Sequence, residues 1–381
     1  MSDFEQIIDR RHSDSQKWGR YAGRDVLPLW VADMDFAAPP AVLAALHARI
    51  DHGVFGYPEP WPSLIAAVQK HLAEAYDWHI EPDWLVWLPG LVTGINVACR
   101  TVEGPVLTAT PVYPPFLSAP RYAGSVLHSV DLQPPSDETG WQWDWSVLHA
   151  AAGGSRLFLL CHPHNPVGRC WERDELQALA ALAEKHDWIV CSDEIHCDLI
   201  LDRDRRHLPF ACLGDAAARR SITLMAPSKT YNVPGLGAAF AVIPDPALRY
   251  RFCHAMRGIV PHVNVLGLVA TEAAFRHGGA WREELLATLA GNRDQVEAAV
   301  AALPDLRMSH VEATYLAWID ARGLGVENPQ RHFEVHGLGL SDGADFGAPG
   351  WVRLNFGCPP ATLQQALARL AAACDTSRPA R

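Results

Sequence analysis

Six short runs in the first two-thirds of the chain are apolar almost without interruption: LVWL (85–88), VLTAT (106–110), LFLLC (157–161), WIVCSD (188–193), SITLMA (221–226) and AAFAVI (238–243). A strand with one wet face alternates polar and apolar residues, whereas a strand covered on both faces does not. Stretches with helical spacing separate several of these runs, notably ERDELQALAALAEKH at 172–186. Strands alternating with helices predict an α/β fold built on a mainly parallel sheet. From about residue 280 the pattern changes to a long helix (281–302), YLAWID (315–320), WVRLNF (351–356) and a last helix (360–374). That texture predicts a smaller α+β domain. The expected division is an N-terminal arm with part of the small domain (1–45), a large domain (46–278) and a small C-terminal domain (279–381), with DTSRPAR at the end frayed.

Composition narrows the class of function. The chain has 381 residues, a length suited to two domains, and its 49% apolar and 20% charged residues are ordinary globular values. A formal charge of −11 argues against nucleic acid or an anionic membrane as the main partner. The one basic cluster, Arg10, Arg11, Lys17, Arg20 and Arg24, reads as a solvated arm. The start, MSDFEQIIDRR, lacks the apolar core of a signal peptide, and no apolar stretch is long enough for a membrane span. Nine cysteines, none in a CxxC pair, read as reduced core residues in a cytoplasmic protein, with no metal site. His162 and His262 read as satisfied or exposed.

Four motifs carry chemistry, each directly after an apolar run. Pro89-Gly90-Leu91-Val92-Thr93-Gly94 opens a helix, and the free backbone N–H groups there suit a phosphate. The motif is neither a P-loop nor GxGxxG. His162-Pro163-His164-Asn165-Pro166-Val167-Gly168 fixes Asn165 in a rigid loop at a strand end. Ser192-Asp193-Glu194-Ile195-His196 puts two carboxylates and a histidine where α/β sheets place ligands, and Asp193 there suits a protonated ring nitrogen. Ser228-Lys229-Thr230 places a lysine where burial lowers its pKa, as a Schiff-base lysine requires.

Taken with Tyr113 in TPVYPPF, these motifs follow in the order and context of the fold-type I pyridoxal-phosphate enzymes, which the sequence resembles over nearly its whole length. Within that superfamily it is most similar to the cystathionine β-lyase, or C–S lyase, branch. The segments that carry this likeness are DRRHSDSQKW (9–18), LPLWVADMDF (27–36), FGYP (55–58), SDEIHCDL (192–199) and RLNFGCP (353–359). Leu91 and Pro234 depart from the residues usual there, valine and alanine.

The resemblance implies a seven-stranded, mainly parallel sheet in the large domain and pyridoxal 5'-phosphate as cofactor. Lys229 would hold the cofactor and remove the substrate Cα proton. Asp193 would keep the pyridine nitrogen protonated, Asn165 and His196 would contact the ring oxygen, and Tyr113 would stack on the ring. Leu91, Val92 and Ser228 would hold the phosphate, joined by Tyr57 from a neighbouring subunit of a homodimer. Arg353 would grip the carboxylate of an amino-acid substrate. The implied reaction is β-elimination of a thiol from cystathionine or a related S-substituted cysteine, giving pyruvate and ammonia. An aminotransferase would use the same residues. A regulatory protein on the same fold is the more remote alternative, since the arm before residue 27 is too short for a helix-turn-helix.

Overall fold

The computed structural model describes residues 3–136 and 140–376. Its main sheet has seven strands: β1 (Leu85–Leu88), β2 (Val106–Thr110), β3 (Leu127–Asp131), β4 (Leu157–Cys161), β5 (Ile189–Asp193), β6 (Ser221–Met225) and β7 (Ala239–Val242). Their order across the sheet is β1-β7-β6-β5-β4-β2-β3. Only β7 runs against the others. The apolar runs fall on strands for the reason expected. In β4 every residue is buried. Leu157, Leu159 and Cys161 enter one apolar cluster, while Phe158 and Leu160 enter another on the opposite face. Each such leucine or phenylalanine contributes about 1.5–3 kcal/mol by leaving water. β3, LHSVD, carries no such run, because it is an edge strand with only Val130 buried.

Helix α1 (Leu91–Thr101) follows β1 and packs tightly on the sheet. A Cβ added at Gly94 would lie 2.8 Å from Leu224 Cδ2, so glycine permits the close approach. A second, antiparallel sheet orders β8 (Arg307–Met308), β9 (Leu316–Asp320), β10 (Ser341–Asp342) and β11 (Trp351–Asn355) as β10-β11-β9-β8. Helices α2 (Gly279–Ala301) and α3 (Pro360–Thr376) share one apolar cluster with this sheet. Of the tail expected to fray, Asp375 and Thr376 close α3, and 377–381 lie outside the described residues.

The N-terminal arm is exposed at Arg11, Arg20 and Arg24, as expected, but Lys17 is buried and Arg10 half-buried. Leu27–Pro28 pairs in parallel with Leu338–Gly339. Phe4 is buried edge-on to Phe36, with ring centroids 5.0 Å apart. Lys17 is only 1% exposed and pairs with Asp35 at 2.8 Å. Arg10 bridges Asp33 and Asp35 at 2.7 and 2.6 Å. A charge run in sequence cannot reveal that acceptors some 20 residues away will neutralise it. Among the described residues, no helix is long and apolar enough to cross a membrane.

Candidate active site

The carboxyl ends of β2, β4, β5 and β6 converge, as ligand sites in open α/β sheets do. The loops that leave them deliver Tyr113, Asn165, His196, Ser228 and Lys229, and Asp193 is the last residue of β5. All of these line one cleft of about 1090 Å³, together with Leu91, Val92 and Arg353. Leu91 and Val92 are the first two residues of α1, where helical N–H groups have no partner inside the helix. Gly90 precedes them and offers no side-chain cap.

Lys229 Nζ donates to the carbonyl of Ala32 at 2.6 Å, and Tyr315 Oη donates to the same oxygen at 2.8 Å. Ala32 belongs to the loop 30–36, which both sheets hold. Asn232, after β6, receives the Met34 N–H at 2.9 Å and donates to the carbonyls of Met34 and Phe36. Asn355, at the end of β11, donates to the carbonyls of Val31 and Asp33 at 2.6 and 2.7 Å. The lysine is thus aimed into the cleft by a loop fixed from three directions, with Lys17 and Arg10 of the arm as the third. Burial, with repulsion from Arg353, brings the Lys229 pKa down to about 8.

Arg353 reaches the cleft from β11 and is 5% exposed. It donates to Asn165 Oδ1 at 2.9 Å and to the Trp30 carbonyl at 3.0 Å, and its guanidinium lies 4.7 Å from the Phe346 ring centroid. Among the described residues it has no carboxylate partner in ion-pair range, and its Nε has no hydrogen bond. Burial lowers its pKa to about 10. Asp193 is equally buried. Its Oδ1 accepts from the Ile195 N–H at 3.2 Å, and burial raises its pKa to about 7. His196 is 3% exposed, and its Nδ1 has no partner. Burial, then repulsion from Lys229 and Arg353, keeps this ring neutral by holding its pKa well below the ordinary value. A guanidinium and a carboxylate without ion-pair partners in range, and an imidazole nitrogen without a hydrogen bond, are costly features in one cleft unless a ligand completes them.

Tyr57 is the exception among the expected residues. It is 98% exposed and does not line the cleft. Sequence reasoning missed Ala32, Tyr315, Ser341 and Phe346. The first acts through a backbone carbonyl, which no side-chain motif announces. Ser341 donates to the Trp30 carbonyl at 2.8 Å and receives Arg353 Nη2 at 3.4 Å, from a strand of only two residues. Trp30 and Asp33 lay in a segment singled out without a role. Their loop's role is to carry Ala32.

The geometry agrees with comparisons across known proteins. The chain is 36% identical to cystathionine beta-lyase PatB of Bacillus subtilis (strain 168), over 97% of this chain and 99% of that one. The crystal structure of OvoB superimposes with a TM-score of 0.95 at 48% identity, covering 98% of this chain and 99% of that one. Cystalysin from Treponema denticola, whose crystal structure contains pyridoxal 5'-phosphate, superimposes with a TM-score of 0.94 at 30% identity, covering 99% of this chain and all of that one. The family model for class I and II aminotransferases matches residues 24–370, and the chain belongs to that family.

Proposed function

We propose that this chain is a pyridoxal-phosphate-dependent carbon–sulfur β-lyase acting on cystathionine or a related S-substituted L-cysteine. The observation that carries the reading is the set of uncompensated groups around one lysine. Lys229, with its pKa near 8, faces a cleft that also holds an unpaired buried carboxylate, Asp193, and an unpaired buried guanidinium, Arg353. These residues fit the cofactor. Asp193 would balance a protonated ring nitrogen, His196 and Asn165 would meet the ring oxygen, and Tyr113 would cover a ring face. The first turn of α1 with Ser228 would receive the phosphate. When bound, pyridoxal phosphate supplies an electron sink for the charge that develops at the substrate Cα.

The chain's own groups do the rest. Arg353 offers two parallel N–H donors to the substrate carboxylate, a geometry lysine cannot reproduce. Asn165 and the Trp30 carbonyl hold that guanidinium in position. Lys229, as the free amine, removes the Cα proton. The Cβ–S bond then breaks with its electron pair on sulfur, and the thiolate takes up a proton. One water is consumed, and the products are a thiol, pyruvate and ammonia.

The test is turnover of L-cystathionine without added keto acid, following pyruvate and thiol together. Many turnovers per site are expected. A single stoichiometric burst that a keto acid rescues would make the chain an aminotransferase instead.

A free amine is needed to capture the cofactor. The rate at which the cofactor-stripped protein takes up pyridoxal phosphate should therefore rise with pH, pass its half-maximum near pH 8 and level off about a unit above. Below that pH Lys229 is protonated and unreactive; an unshifted lysine would keep the rate rising to about 10.4. Absorbance of the bound cofactor at a series of pH values measures it. A rate still climbing beyond pH 9.5, roughly midway, contradicts the assignment.

The proposal extends to a cytoplasmic homodimer with shared sites and the three-segment domain division given above. Tyr57 sits in an exposed apolar stretch, with Val54 62% and Phe55 55% exposed, of the kind that marks a protein interface. Mixing Tyr57→Phe with Lys229→Ala should restore activity, because one site of each heterodimer then carries neither change. No recovery despite demonstrated subunit exchange between two impaired parents overturns the shared site.

A further inference from the structure

Behind Asp193, away from the cleft, His162, Cys170 and His207 meet in the interior. One donor atom from each lies within 4.8 Å of the other two. The three residues are 0%, 3% and 6% exposed, and the imidazole centroids are 4.3 Å apart. The hydrogen bonds fix which nitrogens are free. His162 Nε2 lies 3.1 Å from the Leu208 carbonyl, which can only accept, so this nitrogen carries the proton. His207 Nε2 lies 2.7 Å from Glu194 Oε2 and donates to it. Both Nδ1 atoms therefore present lone pairs, and neither has a hydrogen-bond partner.

We infer that His162, Cys170 and His207 form a zinc site separate from the catalytic cleft. Two imidazoles and a thiolate are a donor set zinc favours, with water in the fourth position. The supporting shell is already built. Ligating histidines hand their other N–H to a carboxylate or a backbone carbonyl, and Glu194 and Leu208 receive those bonds here. Glu194 is fully buried, bonded to Ser192 Oγ at 2.7 Å and the Phe210 N–H at 3.0 Å, and forms no ion pair with lysine or arginine among the described residues. Burial pushes the Cys170 thiol up to about 12. Binding of Zn²⁺ forms the Zn–S bond and expels the thiol proton to solvent. The dication then faces the thiolate it creates and, through His207, the carboxyl of Glu194. His207 follows the exposed Arg203, Asp204 and Arg206 in sequence.

The site would clamp two loops that matter for catalysis. His162 N–H donates to the Asp193 carbonyl at 2.9 Å, and His162 lies three residues before Asn165. Zinc would hold the segment after β4 against the one after β5.

The test uses tag-free, cofactor-loaded protein, equilibrated with zinc chloride, dialysed and analysed for metal by mass spectrometry. Wild type and a Cys253→Ala control should keep about one zinc per chain, and Cys170→Ala should keep less than about a tenth. Zinc should raise the melting temperature of wild type and not of Cys170→Ala. Zinc-free wild type after loading, or equal zinc in Cys170→Ala, overturns the site. Should Cys170→Ala fail to fold, zinc-edge X-ray absorption of wild type decides. One sulfur at about 2.3 Å with nitrogen and oxygen at about 2.0 Å supports the site, and a shell without sulfur refutes it.

Discussion

Lys229→Ala should lower turnover by at least about 10⁴-fold, the upper range for losing a positioned general base alone. The substitution also removes the amine that bonds the Ala32 carbonyl in the loop 30–36. Pyridoxal phosphate should still bind through its other contacts, but not covalently. Borohydride treatment followed by peptide mass spectrometry reads this directly. Wild type should carry the reduced adduct on Lys229 and the variant should carry none. An adduct on any other lysine, or turnover within tenfold of wild type, removes Lys229 from its role.

Asp193→Asn should leave the cofactor bound and cost most of the turnover. The carboxylate is buried with no cation in ion-pair range among the described residues, and burial raises its pKa to about 7 against the Ile195 N–H and the charge of Lys229. A protonated pyridine nitrogen would be the missing partner, and an amide cannot stabilise that proton by charge. Removing one member of a buried ion pair costs about 3–5 kcal/mol. At about 1.4 kcal/mol per factor of ten, the loss is roughly a hundred- to several-thousand-fold. Steady-state rates at saturating cofactor measure it, and Asp193→Glu with partial activity would separate charge from packing. Near-normal turnover in the asparagine variant refutes the pairing.

Much of the fold could be read from local sequence because its strands are buried on both faces. LFLLC and SITLMA have no other sensible setting. The edge strand Leu127–Asp131 escaped because one face meets water and only Val130 is inside. Asn165, Asp193 and Lys229 were legible because each follows an apolar run, so strand end and chemistry coincide in sequence. The lysine's acceptor and one of the arginine's were not legible, since they are the backbone carbonyls of Ala32 and Trp30. Two of the arm's five basic residues escaped for a related reason. Lys17 and Arg10 are neutralised by Asp33 and Asp35, a relation that exists only once the chain has turned back on itself. Tyr57 gains no role from the fold, because nothing among the described residues covers it. His162 looked ordinary in sequence, and its unpaired Nδ1 became visible only beside His207.

The pairing of Leu27–Pro28 with Leu338–Gly339, and of the loop 30–36 with Ser341, Arg353 and Asn355, has a consequence for biosynthesis. The ribosome makes the arm first and its partners last. At about 5–20 residues per second, the first segment waits tens of seconds for the strands that fix it. Throughout that interval the parallel sheet and Lys229 can assemble, but the Asn355 and Arg353 contacts that help hold the loop carrying Ala32 do not yet exist. Until then Leu27–Pro28 and the loop 30–36 lack these partners, and Phe4 lacks Trp281 while that residue is still unmade. Chaperones that bind exposed aromatic segments should find their target there.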